Sequence, residues 1–140
     1  IATVPCPILS PTHVYALTAY FQQKSMLYKD TSMAHSCALA SSEDIMYFCE
    51  DLYADQAFYK TIGQALAAND TPSGKILLST GYLDLDLVSH AYALGITTLI
   101  SRFGPTDKGM DFAQSKDMTL IGFFRGTRFN LYCGKGCRTS

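Results

Sequence analysis

The sequence predicts an α/β fold, a three-layer α/β/α sandwich built on a mixed sheet. Three observations carry this. Helical and short apolar patterns alternate from residue 55 onward, as in a sheet with helical crossovers. Strand–turn–strand patterns near the start and at the end, 34–49 and 119–132, add antiparallel edges. The 140 residues, 48% apolar and 16% charged, suit one domain spanning 1–140 with an ordinary core.

Ser10-Pro11 opens the first helix, with serine as N-cap and proline at the first helical position. Val14, Leu17, Phe21 and Tyr28 give it one apolar face to about Tyr28. Ala34–Ala40 and Ile45–Cys49 read as an antiparallel strand pair around Ser41-Ser42-Glu43-Asp44. Asp55–Ala68 is a second helix with Phe58, Thr61, Ile62, Ala65 and Leu66 as its buried stripe, and Asp51 and Asp55 read as its caps. Lys75–Ser79 is a short strand, apolar enough to be covered on both faces. Asp84 caps a third helix, with Leu87, Val88, Ala91 and Leu94 inward and Gly95 at its end. Ile96–Ser101 is the next strand. Gly104-Pro105-Thr106 leads into a short helix ending near Lys116. Met118–Phe124 and Arg128–Cys133 are the last two strands, joined at Arg125-Gly126-Thr127. Strands separated by helices are expected to be mostly parallel.

Charge and composition exclude several function classes. The longest apolar runs are too short to span a bilayer, so no membrane role is expected. The chain starts at Ile1 without an initiator methionine, which reads as a fragment or processed piece. Net charge is −1, but Lys116–Ser140 holds five basic residues against Asp117, whereas Glu43–Asp55 holds five acidic ones. So small a basic turn does not track a nucleic-acid backbone. The five cysteines are odd in number and irregularly spaced, which fits free thiols in a reducing, cytoplasmic compartment.

Four stretches could carry chemistry. His35-Ser36-Cys37 resembles the entry to a zinc deaminase site, but no Glu follows at the second position and no Cys-x-x-Cys exists in the chain. His35 is then a hydrogen-bonded imidazole or a ligand-facing one. Cys133-Gly134-Lys135-Gly136-Cys137 holds two thiols around a cation, or is simply a glycine-rich tail. Thr106 stands before a helix, where first-turn N–H groups favour an anion. The sharpest feature is Phe123-Phe124-Arg125-Gly126-Thr127-Arg128. Gly126 lets the backbone approach a ligand, two guanidiniums can fork a phosphate, and phenylalanines can contact a flat ring. An ordinary hairpin with solvated arginines is the alternative.

The motifs in this order resemble the formate dehydrogenase accessory protein family, the FdhD sulfurtransferases. Thr31-Ser32-Met33-Ala34-His35-Ser36-Cys37-Ala38 is similar to that family's Thr-Gly-Gly-x-His-Ala-Ala. The stretch from Glu50-Asp51 to Lys60 and Gly63 resembles its Glu-Asp-Val-Gly-Arg-His-Asn-Ala-x-Asp-Lys-x-x-Gly. Ala93-Leu94-Gly95-Ile96 and Gly104-Pro105-Thr106 match as well. So does the closing stretch from Thr119-Leu120 through Gly122-Phe123, Arg125-Gly126 and Arg128-Phe129-Asn130-Leu131-Tyr132.

The resemblance implies a cytidine-deaminase-like fold and a sulfur carrier that serves formate dehydrogenase. It implies sulfur loaded by a cysteine desulfurase and passed to a molybdopterin guanine dinucleotide cofactor. Cofactor contacts would fall on Phe123, Phe124, Arg125, Gly126, Thr127 and Arg128, with His35 and Thr106 beside them. Formate dehydrogenase and the desulfurase are the implied partners, and a homodimer is compatible. Three departures stand out. The family's Cys-x-x-Cys falls upstream of Ile1, so catalysis by this chain is left open and no catalytic or metal-ligating residue is assigned. Gly-Arg-His becomes Tyr53-Ala54-Asp55, and Ser-Gly-Arg becomes Ser79-Thr80-Gly81-Tyr82. The alternative function is a non-catalytic domain of the same fold that binds a nucleotide or a partner.

Overall fold

A computed structural model describes residues 9–27, 34–123 and 129–134. The element order is α1 (Pro11–Leu27), β1 (His35–Ala40), β2 (Ile45–Asp51), α2 (Ala54–Ala67), β3 (Ile76–Ser79), α3 (Leu85–Ala93), β4 (Thr98–Ser101), α4 (Asp107–Ser115), β5 (Thr119–Phe123) and β6 (Phe129–Cys133). They form one sheet in the order β2-β1-β3-β4-β5-β6. This is the α/β sandwich expected, with helices on both faces.

The sheet alternates its side chains between two cores, as the pleat requires. Cys37, Leu39, Leu77, Leu99 and Leu120 point to one face, under α2, α3 and α4. Ala38, Ala40, Ile76, Leu78, Ile100 and Ile121 point to the other, where Val14, Leu17 and Phe21 of α1 cover them. The caps agree with the sequence. The Ser10 hydroxyl accepts from the His13 N–H at 3.2 Å. Asp84 Oδ1 accepts from the Leu87 N–H at 2.9 Å.

One adjacency was not foreseen, and two expectations need correction. Only β3–β4 and β4–β5 pair in parallel. Strands joined by a helix do share a direction, but β1 inserts between β2 and β3 and runs antiparallel to both. In α2, Leu66 is 56% exposed, and Ala57 takes its place in the buried stripe. The N-cap of α2 is Tyr53, with no side-chain cap bond. Asp51 instead accepts from the Tyr53 N–H at 3.3 Å and pairs with Lys60 at 2.6 Å, while Asp55 accepts from the Gln56 N–H at 2.8 Å.

At the opposite end of α2, Asp70 accepts from the Tyr47 hydroxyl at 2.8 Å and from Lys75 Nζ at 2.9 Å. The Lys75 hydrogen bond, then that from Tyr47, holds the Asp70 carboxyl below the usual carboxylate range. The Lys60 bond does the same to Asp51. A depressed carboxylate adds stability that is full above its unfolded pKa and is lost as pH falls through the folded one. Stability is therefore expected to decline below about pH 4. Asp70→Asn should be less stable at neutral pH and flatter across that acid limb. Chemical denaturation followed by circular dichroism along a pH series checks this, and an unchanged acid limb in the variant contradicts it.

Candidate functional site at the carboxyl edge of the sheet

Strand direction decides where a ligand site can lie. In open α/β sheets, ligands bind beyond the carboxyl ends of parallel strands. The register aligns Ser79, Ser101 and Gly122 at the ends of β3, β4 and β5. Because β1 is antiparallel, its first residues reach the same edge, with His35 opposite Asp51 at the end of β2. One edge thus gathers the ends of β2, β3, β4 and β5 and the starts of β1 and β6.

Hydroxyl groups pin the loops that leave this edge. Thr80 Oγ1 accepts from the Ser36 N–H at 2.9 Å, and the Thr80 N–H donates to Ser36 O at 3.0 Å. Ser79 Oγ accepts from the Gly81 N–H at 3.0 Å. Ser101 Oγ donates to Gly81 O and accepts from the Phe103 and Gly104 N–H groups at 3.1 and 3.2 Å. Gly81 is required sterically, since a Cβ there would strike Ala54 Cβ at 2.7 Å. The start of α2 and the loop after β3 therefore pack wall to wall.

Between the starts of α2 and α3 lies a cavity of about 330 Å³. Tyr53, Phe58, Tyr59 and Tyr82 give it aromatic walls; Asp55, Asp84 and Asp86 bring carboxylates; His35 and His90 bring imidazoles. His35 Nδ1 lies 3.2 Å from Thr80 Oγ1, so the ring is held while still facing the cavity. Tyr59 Oη lies 3.0 Å from His90 Nδ1. Among the described residues, no Lys or Arg lines this cavity. The partial positive charge of two helix N-termini is offset by the three carboxylates. Such a site suits a flat, hydrogen-bonding ring better than a bare phosphate.

The loop after β4 borders it. Phe103 stacks on Tyr82, with ring centroids 5.2 Å apart and planes 26° apart, although the two are 50% and 60% exposed. Arg102, exposed on the same loop, is held by its N–H to Ser79 O at 3.0 Å. β4 lies between β3 and β5, so this loop stands between the cavity and the end of β5.

The sequence-predicted residues divide three ways. His35 lines the cavity. Thr106 lies in a neighbouring hollow with Asp84, Leu85, Asp86, Asp107 and Lys108, and its hydroxyl caps α4 by accepting from the Gly109 N–H at 3.2 Å. Phe123 ends β5 on the same sheet edge, its backbone paired with Phe129. Phe124, Arg125, Gly126, Thr127 and Arg128 lie outside the described residues, as do Lys135, Gly136 and Cys137. Sequence reasoning missed the sides of the cavity: Tyr59, Tyr82, Asp86 and His90. The signal for them was strand direction, which marks the segments after β2 and β3 as ligand-facing. Among the described residues, no group of three or more His, Cys, Asp or Glu side chains could hold a metal ion. No helix among them is long and apolar enough to cross a membrane.

Comparison with known proteins bears on the family and the fold. A family model described as the FdhD/NarQ family matches residues 3–137. Sulfur carrier protein FdhD of Listeria innocua is 29% identical over 126 residues, covering 90% of this chain and 48% of the relative. The proteins of the same name from Sulfurisphaera tokodaii and Bacillus subtilis are 30% and 28% identical over 124 residues each. They are covered over 49% and 47% of their lengths, by 87% and 89% of this chain. The chain thus spans about half the length of the curated relatives it matches. A crystal structure from Desulfotalea psychrophila, described as a candidate formate dehydrogenase accessory protein, superposes with a TM-score of 0.84 at 23% identity, over 96% of this chain and 58% of that one. A dCMP deaminase from cyanophage S-TIM5 superposes at 0.55 and 13% identity, over 74% of this chain and 94% of that one. The fold is cytidine-deaminase-like.

Proposed function

Because the chain belongs to the FdhD/NarQ family, we propose that it is the cofactor-binding part of a sulfur carrier that serves formate dehydrogenase. Its cargo is the guanine dinucleotide form of the molybdenum cofactor, whose sulfuration it assists. A cysteine desulfurase is the sulfur donor in this reading. The sulfur carrier proteins and the formate dehydrogenase accessory protein that the chain resembles support the sulfur-carrier and formate dehydrogenase roles. The observation that carries the cofactor reading is the carboxyl edge itself. There, an aromatic, acid-lined cavity is bordered by the loop that carries Arg102 and Phe103, and the end of β5 lies beyond that loop.

The chemistry divides between the two parts. Guanine presents ring and exocyclic N–H donors along one edge, which a carboxylate accepts well. Asp55, Asp84 or Asp86 supplies that acceptor, and Tyr53 or Tyr82 the flat wall. The diphosphate then runs along the sheet edge, past Arg102, toward the ends of β5 and β6, and the sequence between those strands carries Arg125 and Arg128. Two strand spacings, about 10 Å, separate the end of β3 from that of β5, which a nucleoside diphosphate spans. His35, fixed by Thr80, donates or accepts at the cavity floor.

One observation favours a second reading, a partner-binding domain that has given up the nucleotide: among the described residues, no Lys or Arg lines the cavity. Calorimetric titration with GDP separates the two. Weak, saturable heat is expected. No detectable heat would contradict the nucleotide reading and favour the second.

A further inference from the structure

Two cysteines face each other across the β1–β2 hairpin. Cys37 and Cys49 are direct antiparallel partners. Direct partners have Cα atoms about 4.5 or 5.5 Å apart, and disulfides bridge Cα atoms about 4.4–6.8 Å apart. Both side chains point to the sheet face under α2. Cys37 sits in that core with Ala57 and Phe58, and Tyr47 and Asp51, two residues either side of Cys49, bond to Asp70 and Lys60. The two thiols are free. Their accessibility differs: Cys37 is buried, whereas Cys49 is half-buried on the edge strand.

We infer that Cys37 and Cys49 form a cross-strand dithiol that closes to a disulfide by exchange with a low-molecular-weight disulfide. The order of events follows from exposure. Burial pushes the Cys37 thiol up to about 12, and Cys49 adds to the rise, so Cys37 does not begin the reaction. Cys49 attacks one sulfur of the small disulfide as its thiolate, forming a mixed disulfide and releasing a first thiolate, which takes up a proton. Cys37 then gives up its proton and attacks the Cys49 sulfur. The second small thiolate leaves and is protonated in turn. Two protein thiols are oxidised, one small disulfide is reduced to two thiols, and no other oxidant is needed. Registered neighbours make the second step intramolecular, which offsets the poor acidity of Cys37. The bond staples the edge strand β2 to β1, and this holds whatever the carboxyl-edge cavity binds.

The test is to incubate the chain with glutathione disulfide, block remaining thiols, denature, digest and map the cysteines by mass spectrometry. A peptide joining Cys37 to Cys49 is expected, with alkylation of Cys37 after denaturation lowered by about tenfold or more. The thermal midpoint should rise and return on reduction. Cys37→Ser, or Cys37→Ala if the serine variant folds poorly, should leave glutathione trapped on Cys49. Glutathione remaining on Cys49 of the unaltered chain while Cys37 stays free overturns the inference. So does a link from either cysteine to Cys6, Cys133 or Cys137 instead, or no modification of Cys49 at all.

Discussion

Replacing Gly109 with alanine is expected to destabilise the fold by about 3 kcal/mol. The sign runs against the usual rule, since glycine inside a helix costs roughly 0.5–1 kcal/mol relative to alanine. Gly109 lies in the first turn of α4 against the loop that enters α3, and a Cβ there would collide with the Leu83 carbonyl oxygen. The obstacle is backbone, and it is tied on both sides. Leu83 N–H donates to Gly104 O at 2.9 Å, the Thr106 N–H donates to that same Leu83 oxygen at 3.1 Å, and Leu83 bridges Pro105. Relief requires α4 to move off α3, which opens the core at Leu83, Val88 and Ala113. Thermal melting by circular dichroism checks it, with a fall of roughly 10 °C expected. A higher midpoint contradicts the packing described.

Changing Arg125 and Arg128 together to alanine is expected to lower affinity for GDP by about 100-fold, close to 3 kcal/mol. Each guanidinium offers a charge-assisted fork to phosphate, and among the described residues no Lys or Arg lines the cavity to replace them. The hairpin should survive, because the pairing of Gly122 with Asn130 and Phe123 with Phe129 is left in place. Titration of both proteins with GDP, alongside their melting curves, gives the answer. Equal affinity in the two would move the phosphates away from the hairpin.

How much of this was legible in the sequence depends on the range of the interaction. Local signals read through cleanly. Ser10-Pro11 placed the start of α1, Asp84 that of α3, and the apolar run before Ser79 gave β3. Strand direction was legible too, since a helical crossover returns the chain the same way. Adjacency was not. Nothing local to 35–40 reveals that β1 slides between β2 and β3, because that pairing is won by packing Cys37 and Leu39 under α2. Leu66 was misplaced for a related reason. It keeps helical spacing with Ile62, but α2 is rotated so that Ala57 meets the sheet and Leu66 meets water. Of the site, His35 was visible as a polar residue in an apolar strand. Tyr59, Tyr82 and His90 come from separate elements, and only the assembled sheet edge brings them together.

We propose that the carboxyl edge of the sheet, from His35 to the β5–β6 hairpin, is one nucleotide site. Adding GDP to the ¹⁵N-labelled chain and following amide shifts tests it most directly. The shifts are expected to cluster at Tyr53–Asp55, Thr80–Tyr82, Arg102–Phe103 and residues 124–128. Shifts confined to α1 and the face it covers, or no shifts at saturating GDP, would contradict it.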